Sequence, residues 1–446
     1  MTSKLSTELI DRIKRRDAIV GIIGLGYVGL PLVKAITNAG LNVIGQDNDP
    51  AKIDKLNRGE TYIAHLPGQD FKTLIDKKQF RATTDIKVLA EADAVLICVP
   101  TPITEHREPD LSFVEGSARA MATALRPGQL IILESTTYPG TTRDVMKPIL
   151  EQTGLKSGTD FLIAYSPERE DPGNPSFETS TIPKVVGGDG PDALEAALAL
   201  YNQFVPKTVP VSSLETAEAV KITENVFRAV NIALVNELKL VYGEMGIDVW
   251  EVIEAAKTKP FGYMAFYPGP GLGGHCIPVD PFYLSWKARA YDFPARFVEL
   301  AGEVNDAMPR IVVERLGEQL SRRSKKSLNG ARILMMGLAY KKNVDDLRES
   351  PAMVLYELLE ARGAVVEYHD PFIPEIHETR DHPTLTGRKS VGLNAKSVAS
   401  YDAALIVTDH DNVDYNLLVK NSILVVDTRN AVAKFVKGEH ANVYKT

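Results

Sequence analysis

The stretch from Ala18 to Asp47 constrains this chain more than any other. A short apolar run, Ala18 to Ile23, is followed at once by Gly24-Leu25-Gly26-Tyr27-Val28-Gly29. An apolar helical stretch then runs to Ala39, Gly40 can cap it, and a second strand from Asn42 to Gly45 leads to Asp47. A lone GxGxxG is a weak signal. Strand, glycine loop, helix, strand and terminal acid in one unit specify a dinucleotide-binding βαβ fold. The glycines permit a tight turn and let a pyrophosphate approach the helix N-terminus, whose free N–H groups favour anions. Asp47 is placed to accept hydrogen bonds from the adenosine ribose. No Arg follows it directly, so NAD is preferred over NADP.

The α/β rhythm continues with apolar runs at Ala94–Val99, Leu130–Leu133 and Phe161–Tyr165. Their polar tips are Pro100-Thr101-Pro102, Glu134-Ser135-Thr136-Thr137 and Ser166-Pro167-Glu168-Arg169. Each could be a plain turn. Three at the carboxyl edge of one parallel sheet, where such sheets bind ligands, read as a cleft.

From Leu214 to about Met245 the pattern is helical, with Glu218, Lys221, Asn225 and Arg228 on one face. Such a stripe is usually solvated, but Asn231, Asn236 and Glu237 also interrupt the apolar pattern, which suits a helix lining a polar cleft. A second long helix is expected from Pro294 to about Ser321, broken near Pro309. Between the two lies Gly269-Pro270-Gly271-Leu272-Gly273-Gly274-His275-Cys276-Ile277-Pro278-Val279-Asp280, which holds one of only two cysteines. It is either a glycine-rich loop with an incidental thiol or a site where a thiolate meets a ligand.

The polar run Ser321–Asn329 reads as a boundary. Beyond it, strands at Arg332–Gly337, Val365–Tyr368, Leu405–Val407 and Ile423–Val426, with a helix starting at Ser350-Pro351, echo the first unit. The glycine fingerprint is absent there. Lys341, Lys342 and Arg348 suggest phosphate binding of another kind, in a nucleotide fold that is not a second NAD site. A net charge of -7 disfavours nucleic acid or an anionic membrane as partner. Two cysteines make no disulfide framework, no run reaches membrane-spanning length, and the N-terminus lacks a signal peptide's apolar core, so a cytoplasmic protein is expected. The eight histidines are scattered without metal-ligand spacing, so no metal site is expected. Cys98 reads as core, and His65 is left unassigned.

Taken together, these motifs resemble the nucleotide-sugar 6-dehydrogenases, the UDP-glucose and UDP-N-acetylhexosamine dehydrogenase family, over nearly the whole length. The resemblance implies an α/β chain of two Rossmann-like parallel-sheet domains joined by a central helical domain with a long connecting helix. The expected domains are 1–210, binding NAD; 211–322, helical, dimerising and carrying the cysteine loop; and 323–446, holding UDP. It implies oxidation of a C6 alcohol to a carboxylate with two NAD, through a thiohemiacetal and a thioester on Cys276. Lys221 and Asn225 would hold the developing oxyanion and contact substrate, Asp280 would assist proton movement or orient water, and Thr136 and Glu168 would place a catalytic water and act as general base. The cofactor would meet Gly24, Gly26, Tyr27, Val28, Gly29, Asp47, Pro100, Thr101 and Thr136. The UDP-sugar would meet Glu168, Gly273, Lys341, Arg348 and Arg429.

Pro172 stands where several UDP-glucose enzymes carry a second glutamate, and Glu170 or Asp171 could substitute. The surrounding sequence looks more like the N-acetylhexosamine branch. UDP-N-acetylglucosamine is the first choice, with the N-acetylmannosamine and N-acetylgalactosamine sugars and UDP-glucose behind it. A non-catalytic nucleotide-sugar-binding protein is the alternative of another class, and a homodimer or higher homo-oligomer is expected.

Overall fold

The computed structural model describes residues 4–63, 66–104, 106–169, 181–274, 277–379 and 381–446. It divides into two compact units, one formed by residues 1–224 and 282–294, the other by 225–281 and 295–446.

The first unit is built on an eight-stranded sheet. Its strands are β1 (Ile19–Ile23), β2 (Asn42–Gln46), β3 (Phe80–Thr83), β4 (Ala94–Ile97), β5 (Leu130–Leu133), β6 (Leu162–Tyr165), β7 (Lys184–Gly188) and β8 (Thr208–Pro210). They lie in the order β3-β2-β1-β4-β5-β6-β7-β8. Every pair is parallel except β6 with β7, which runs antiparallel. Strands read as unbroken apolar runs because both faces are covered. Alternation inside each run divides the core: Val20, Ile22, Leu96 and Ile132 pack on one face with the helix Gly29–Asn38, and Ile23, Val95, Ile97 and Ile131 on the other.

In the second unit, β9 (Arg332–Met336), β10 (Val365–His369), β11 (Ala403–Ile406), β12 (Val425–Asp427) and β13 (Val443–Lys445) form a five-stranded sheet of order β10-β9-β11-β12-β13. All its pairs are parallel. Ile333 and Met335 face one core, Leu334 and Met336 the other. The helix Pro351–Ala361 starts as the sequence predicts, with the Ser350 side chain accepting from Ala352 N and Pro351 in the first turn.

The long helix runs Leu214–Glu244. The second long helix, Arg296–Gln319, departs from expectation, because Pro309 lies inside it and does not break it. Pro309 is buried, and its ring lies where a side chain at Gly271 would touch it, at 3.4 Å. That packing offsets the hydrogen bond a mid-helix proline forfeits. A further helical turn, Leu320–Ser324, takes in the first residues of the polar run 321–329. Glu237 and Arg228, expected to line a cleft, are exposed.

Candidate active site

In the first unit the expected cofactor residues lie in the loops after β1, β2, β4 and β5, which are neighbours in the sheet. Gly24 has φ +93°, and a side chain there would meet Cys98 O at 2.6 Å. At Gly29 a Cβ would lie 1.9 Å from Gly24 O, so only glycine lets the helix begin this close to the strand. A Cβ at Gly26 would meet nothing within 4 Å, leaving the side of the loop that a ligand would use open. Asp47 follows β2. Its Oδ2 accepts from Leu25 N at 3.0 Å and pairs with Lys52 Nζ at 3.3 Å, and its Oδ1 accepts from Asp49 N at 3.0 Å. This acid shapes the glycine loop. Tyr62, which sequence reasoning passed over, donates to Leu25 O at 2.5 Å beside it. Tyr27, Val28 and Thr101 are half-buried and Pro100 is exposed. The Ser135 hydroxyl ties the tip of β5 to this strip by donating to Val99 O at 2.7 Å. These residues fit NAD: an open glycine turn at a helix N-terminus for the pyrophosphate and an acid at the end of the next strand.

Half-buried Thr136 lies in the loop that Glu218 holds. The carboxylate of Glu218, on the long helix, accepts from Gly140 N at 2.6 Å, Thr142 N at 2.8 Å and Thr142 Oγ1 at 2.7 Å. Burial pushes its carboxyl up to about 7, against the pull of those donors.

Glu168 is held by a residue that sequence reasoning missed. Lys184 Nζ donates to Glu168 Oε2 at 2.8 Å and to Glu134 Oε2 at 2.6 Å. Tyr201 OH donates to the other oxygen of Glu134 at 2.5 Å. Arg169 reaches Glu224 at 2.6 Å and Pro183 O at 2.7 Å. The only sequence signal for Lys184 was a lysine opening the apolar run Lys184-Val185-Val186.

The second unit brings Asn225 and Asp280 together. Asn225 Nδ2 donates to Asp280 Oδ2 at 2.5 Å, and both are buried. Lys221, also buried, lies one turn before Asn225 on the long helix. Farther along, Asn236 accepts from Gly269 N at 2.9 Å and donates to Asn305 Oδ1 at 2.9 Å, and Asn305 donates to Ala229 O at 3.1 Å. Two helices thus clamp the start of the cysteine loop. Tyr340 lies against Gly273 and Gly274, where added Cβ atoms would sit 2.9 and 3.1 Å from its side chain. Cys276 and His275 lie outside the described residues, as do His65, Glu170, Asp171 and Pro172.

The expected UDP-side cations are placed differently from one another. Lys341 is half-buried, with Nζ 5.6 Å from the Tyr340 ring centre. Arg348 folds onto Asp346, with Nη2 2.6 Å from Oδ2. Arg429 Nε donates to Val407 O at 2.9 Å, and its guanidinium lies against Gly269, where a Cβ would meet Nη1 at 2.5 Å. Near it, buried Lys239 has an ammonium without a hydrogen-bond partner, and burial together with Arg429 pushes it down to about 7. Cys98 follows β4 and is half-buried, and burial followed by Glu134 raises its thiol above the usual range.

Among the described residues no group of three or more His, Cys, Asp or Glu side chains is arranged to hold a metal, and no helix is long and apolar enough to cross a membrane.

Three domain patterns of one family match in sequence. The NAD binding domain of the UDP-glucose/GDP-mannose dehydrogenase family matches residues 18–205, its central domain residues 215–307, and its UDP binding domain residues 334–434. The chain belongs to the UDP-glucose/GDP-mannose dehydrogenase family. It is an NAD-dependent UDP-sugar dehydrogenase, an oxidoreductase. Among its relatives are an NDP-N-acetyl-D-galactosaminuronic acid dehydrogenase of Ralstonia nicotianae, 37% identical over 92% of this chain and 95% of that one, and a UDP-N-acetyl-D-glucosamine 6-dehydrogenase of Pseudomonas aeruginosa, 34% identical over 89% and 91%. A solved UDP-D-ManNAc dehydrogenase from Pyrococcus horikoshii superposes with a TM-score of 0.85 at 32% identity, covering 96% of this chain and 98% of that one. The two sheets of this dehydrogenase therefore belong to an NAD-binding and a UDP-binding domain, as the sequence motifs predict.

Proposed function

We propose that this dehydrogenase oxidises the C6 alcohol of a UDP-N-acetylhexosamine, UDP-N-acetylglucosamine first, to the uronic acid, as a precursor for a surface polysaccharide. The observation that carries the reading is the buried Asn225–Asp280 amide–carboxylate pair one turn from Lys221. An ammonium and an amide on successive turns of one helix are suited to an oxyanion at C6. Asp280, buried beside the amide, is suited to moving a proton or orienting water. Bound NAD accepts the hydride.

In the proposed sequence Glu168 takes the hydroxyl proton through a water placed by Thr136. The Cys276 thiolate adds to the aldehyde carbon to give a thiohemiacetal, a second oxidation converts this to a thioester, and water releases the carboxylate and the thiol. One alcohol consumes two NAD and one water. The covalent link keeps the aldehyde from escaping between the two oxidations. Lys341, Arg348 and Arg429 are assigned to the UDP moiety, and Gly273 to the substrate. The cofactor is assigned to Gly24, Gly26, Tyr27, Val28, Gly29, Asp47, Pro100, Thr101 and Thr136.

The N-acetylhexosamine assignment is supported by the names of the relatives, which carry three different N-acetylated sugars. The sequence division at 210 and 322 is proposed for the three domains. A homodimer is supported by exposed Phe227, Leu234 and Val241, seven residues apart along the long helix, and by exposed Phe297 and Leu300 on the second long helix.

The test is the NADH formed per mole of limiting UDP-sugar, with the gluco-, galacto- and manno-configured N-acetylhexosamines and UDP-glucose run in parallel. Two NADH with UDP-N-acetylglucosamine supports the proposal. Two with another sugar moves the substrate, and one with every sugar removes the role given to Cys276. Cys276→Ser should form no acid, and full turnover by it would sink the covalent route.

A further inference from the structure

β7 is the one strand beside β6 that runs against it. The reversal brings the first residue of β7, Lys184, to the edge where β5 and β6 end in Glu134 and Glu168. A parallel strand would have presented its last residue there. Lys184 is almost fully buried, as is Glu134, and Glu168 retains 13% exposure. One ammonium therefore serves two carboxylates, one sealed in the core and the other open to the ligand edge.

Both oxygens of Glu134 receive donors, Lys184 Nζ and Tyr201 OH, which is the pattern of a carboxylate. Burial opposes the Glu134 charge and Lys184 supports it, while Lys184, which burial alone would lower, is held up by the two acids. An ion bridge of this kind stabilises a fold weakly, because desolvation offsets most of the attraction. Its geometry instead fixes one oxygen of Glu168, while Arg169 N donates to the other at 2.6 Å. Among the described residues, the charged and titratable groups around the pair include Glu134 beyond β5, Tyr201 on the helix Pro191–Tyr201, Cys98 beyond β4, and the Arg169–Glu224 ion pair.

We propose that Lys184, anchored by Glu134, is a positioning residue that sets the orientation and the ionised form of Glu168 for the chemistry at C6. This rests on the reading of Glu168 as general base. A structural ion bridge would change stability alone. A positioning bridge moves the acid limb of the pH–rate profile, and moves it in opposite directions for its two ends. Losing the ammonium removes the charge that favours the Glu168 carboxylate, and losing the Glu134 charge removes a neighbour that opposes it.

The experiment measures kcat/KM for the UDP-sugar against pH at saturating NAD, with far-ultraviolet circular dichroism as the check on folding. Lys184→Met should raise the acid limb by about one to three pH units and cut the rate at pH 7 at least tenfold. Glu134→Gln should lower the limb. Lys184→Arg, which keeps the charge, should restore the limb to its wild-type position whatever its effect on rate. If Lys184→Met does not fold, the Glu134→Gln and Lys184→Arg profiles decide. Glu168→Gln separates the two readings: wild-type turnover would remove the base assignment and this proposal with it. Loss of turnover in Glu168→Gln with an unmoved limb in the Lys184 and Glu134 variants would overturn this proposal alone.

Discussion

Lys239 offers a stability experiment whose sign and size follow from one buried group. The residue is 8% exposed, and its buried ammonium has no hydrogen-bond partner and faces Arg429 and Asp427. Burial first, and Arg429 second, push its pKa down to about 7, from about 10.4 in an unfolded chain. Between those values the unfolded chain holds a proton that the folded protein has released, so stability rises with pH across the window. The limiting slope is about 1.4 kcal/mol per pH unit. From pH 7.5 to 9.5 the lysine should thus add roughly 2 to 3 kcal/mol to the folding free energy of the wild type. Methionine has similar length and no charge, so Lys239→Met should be the more stable protein at pH 7 and should lose its advantage as pH rises. Urea denaturation of both proteins at pH 7.0, 7.5, 8.5 and 9.5, at constant ionic strength, gives the difference directly. Parallel stability curves would refute the reasoning and would mean that water or a relaxed side chain already solvates the ammonium. A methionine variant less stable at every pH would refute it too, since the ammonium would then be making a favourable contact.

Asp47→Ala removes the acceptor expected to meet the ribose and leaves Leu25 N without its partner. The KM for NAD should rise about tenfold or more with kcat little changed, and an unchanged KM in steady-state kinetics would count against the placement of the cofactor. Glu218→Ala leaves three buried donors at Gly140 and Thr142 without an acceptor. The expected cost is about 3 kcal/mol or more in chemical denaturation, and a loss below about 1 kcal/mol would contradict the accounting. Gly29→Ala would force a Cβ to 1.9 Å from Gly24 O, so NAD binding measured by calorimetry should be lost, whereas alanine at Gly26 meets only open space and should fold normally.

The parts that could be read in advance are those where one physical rule acts alone. β1, β4, β5 and β9 are covered on both faces, so a continuous apolar run identifies them. The Ser350 cap and Pro351 start identify a helix from two residues. What escaped depends on neighbours far away in sequence. β3, β7 and β8 are three to five residues long, and each contains a lysine, an arginine, a proline or paired glycines that argue against a strand. Pairing with an existing sheet overrides that local preference. Pro309 was expected to break its helix because its cost is local and visible, while the loop packed against it is not. Lys184 was missed for the same reason. Its two acids lie 50 and 16 residues earlier, and only the antiparallel turn of β7 brings the three groups together.

The two parallel sheets end in the same device, an acid after the second strand that binds the N–H groups of the loop after the first, and they use it to opposite effect. In the NAD-binding sheet Asp47 receives Leu25 N, its own turn at Asp49 and a half-exposed lysine, beside a glycine with open space above it. In the other sheet Asp370 is fully buried and receives Leu338 N, Ala339 N, Phe372 N, Ile373 N and His410 Nε2, at 2.7 to 3.1 Å. His410 Nδ1 accepts from Asn343 N, so the ring proton lies on the nitrogen that faces the acid. Burial would raise Asp370, but His410 and the backbone donors prevail and hold its carboxyl below the usual range. Both oxygens are thus occupied by the protein's own donors, and after Gly337 the second loop has Ala339 and Lys342 where the first has Gly26 and Gly29. The second sheet keeps the shape that supports a nucleotide at its carboxyl edge while closing the position that would read an adenosine ribose. The acid of the first sheet keeps 11% of its side-chain surface exposed, whereas that of the second is fully buried.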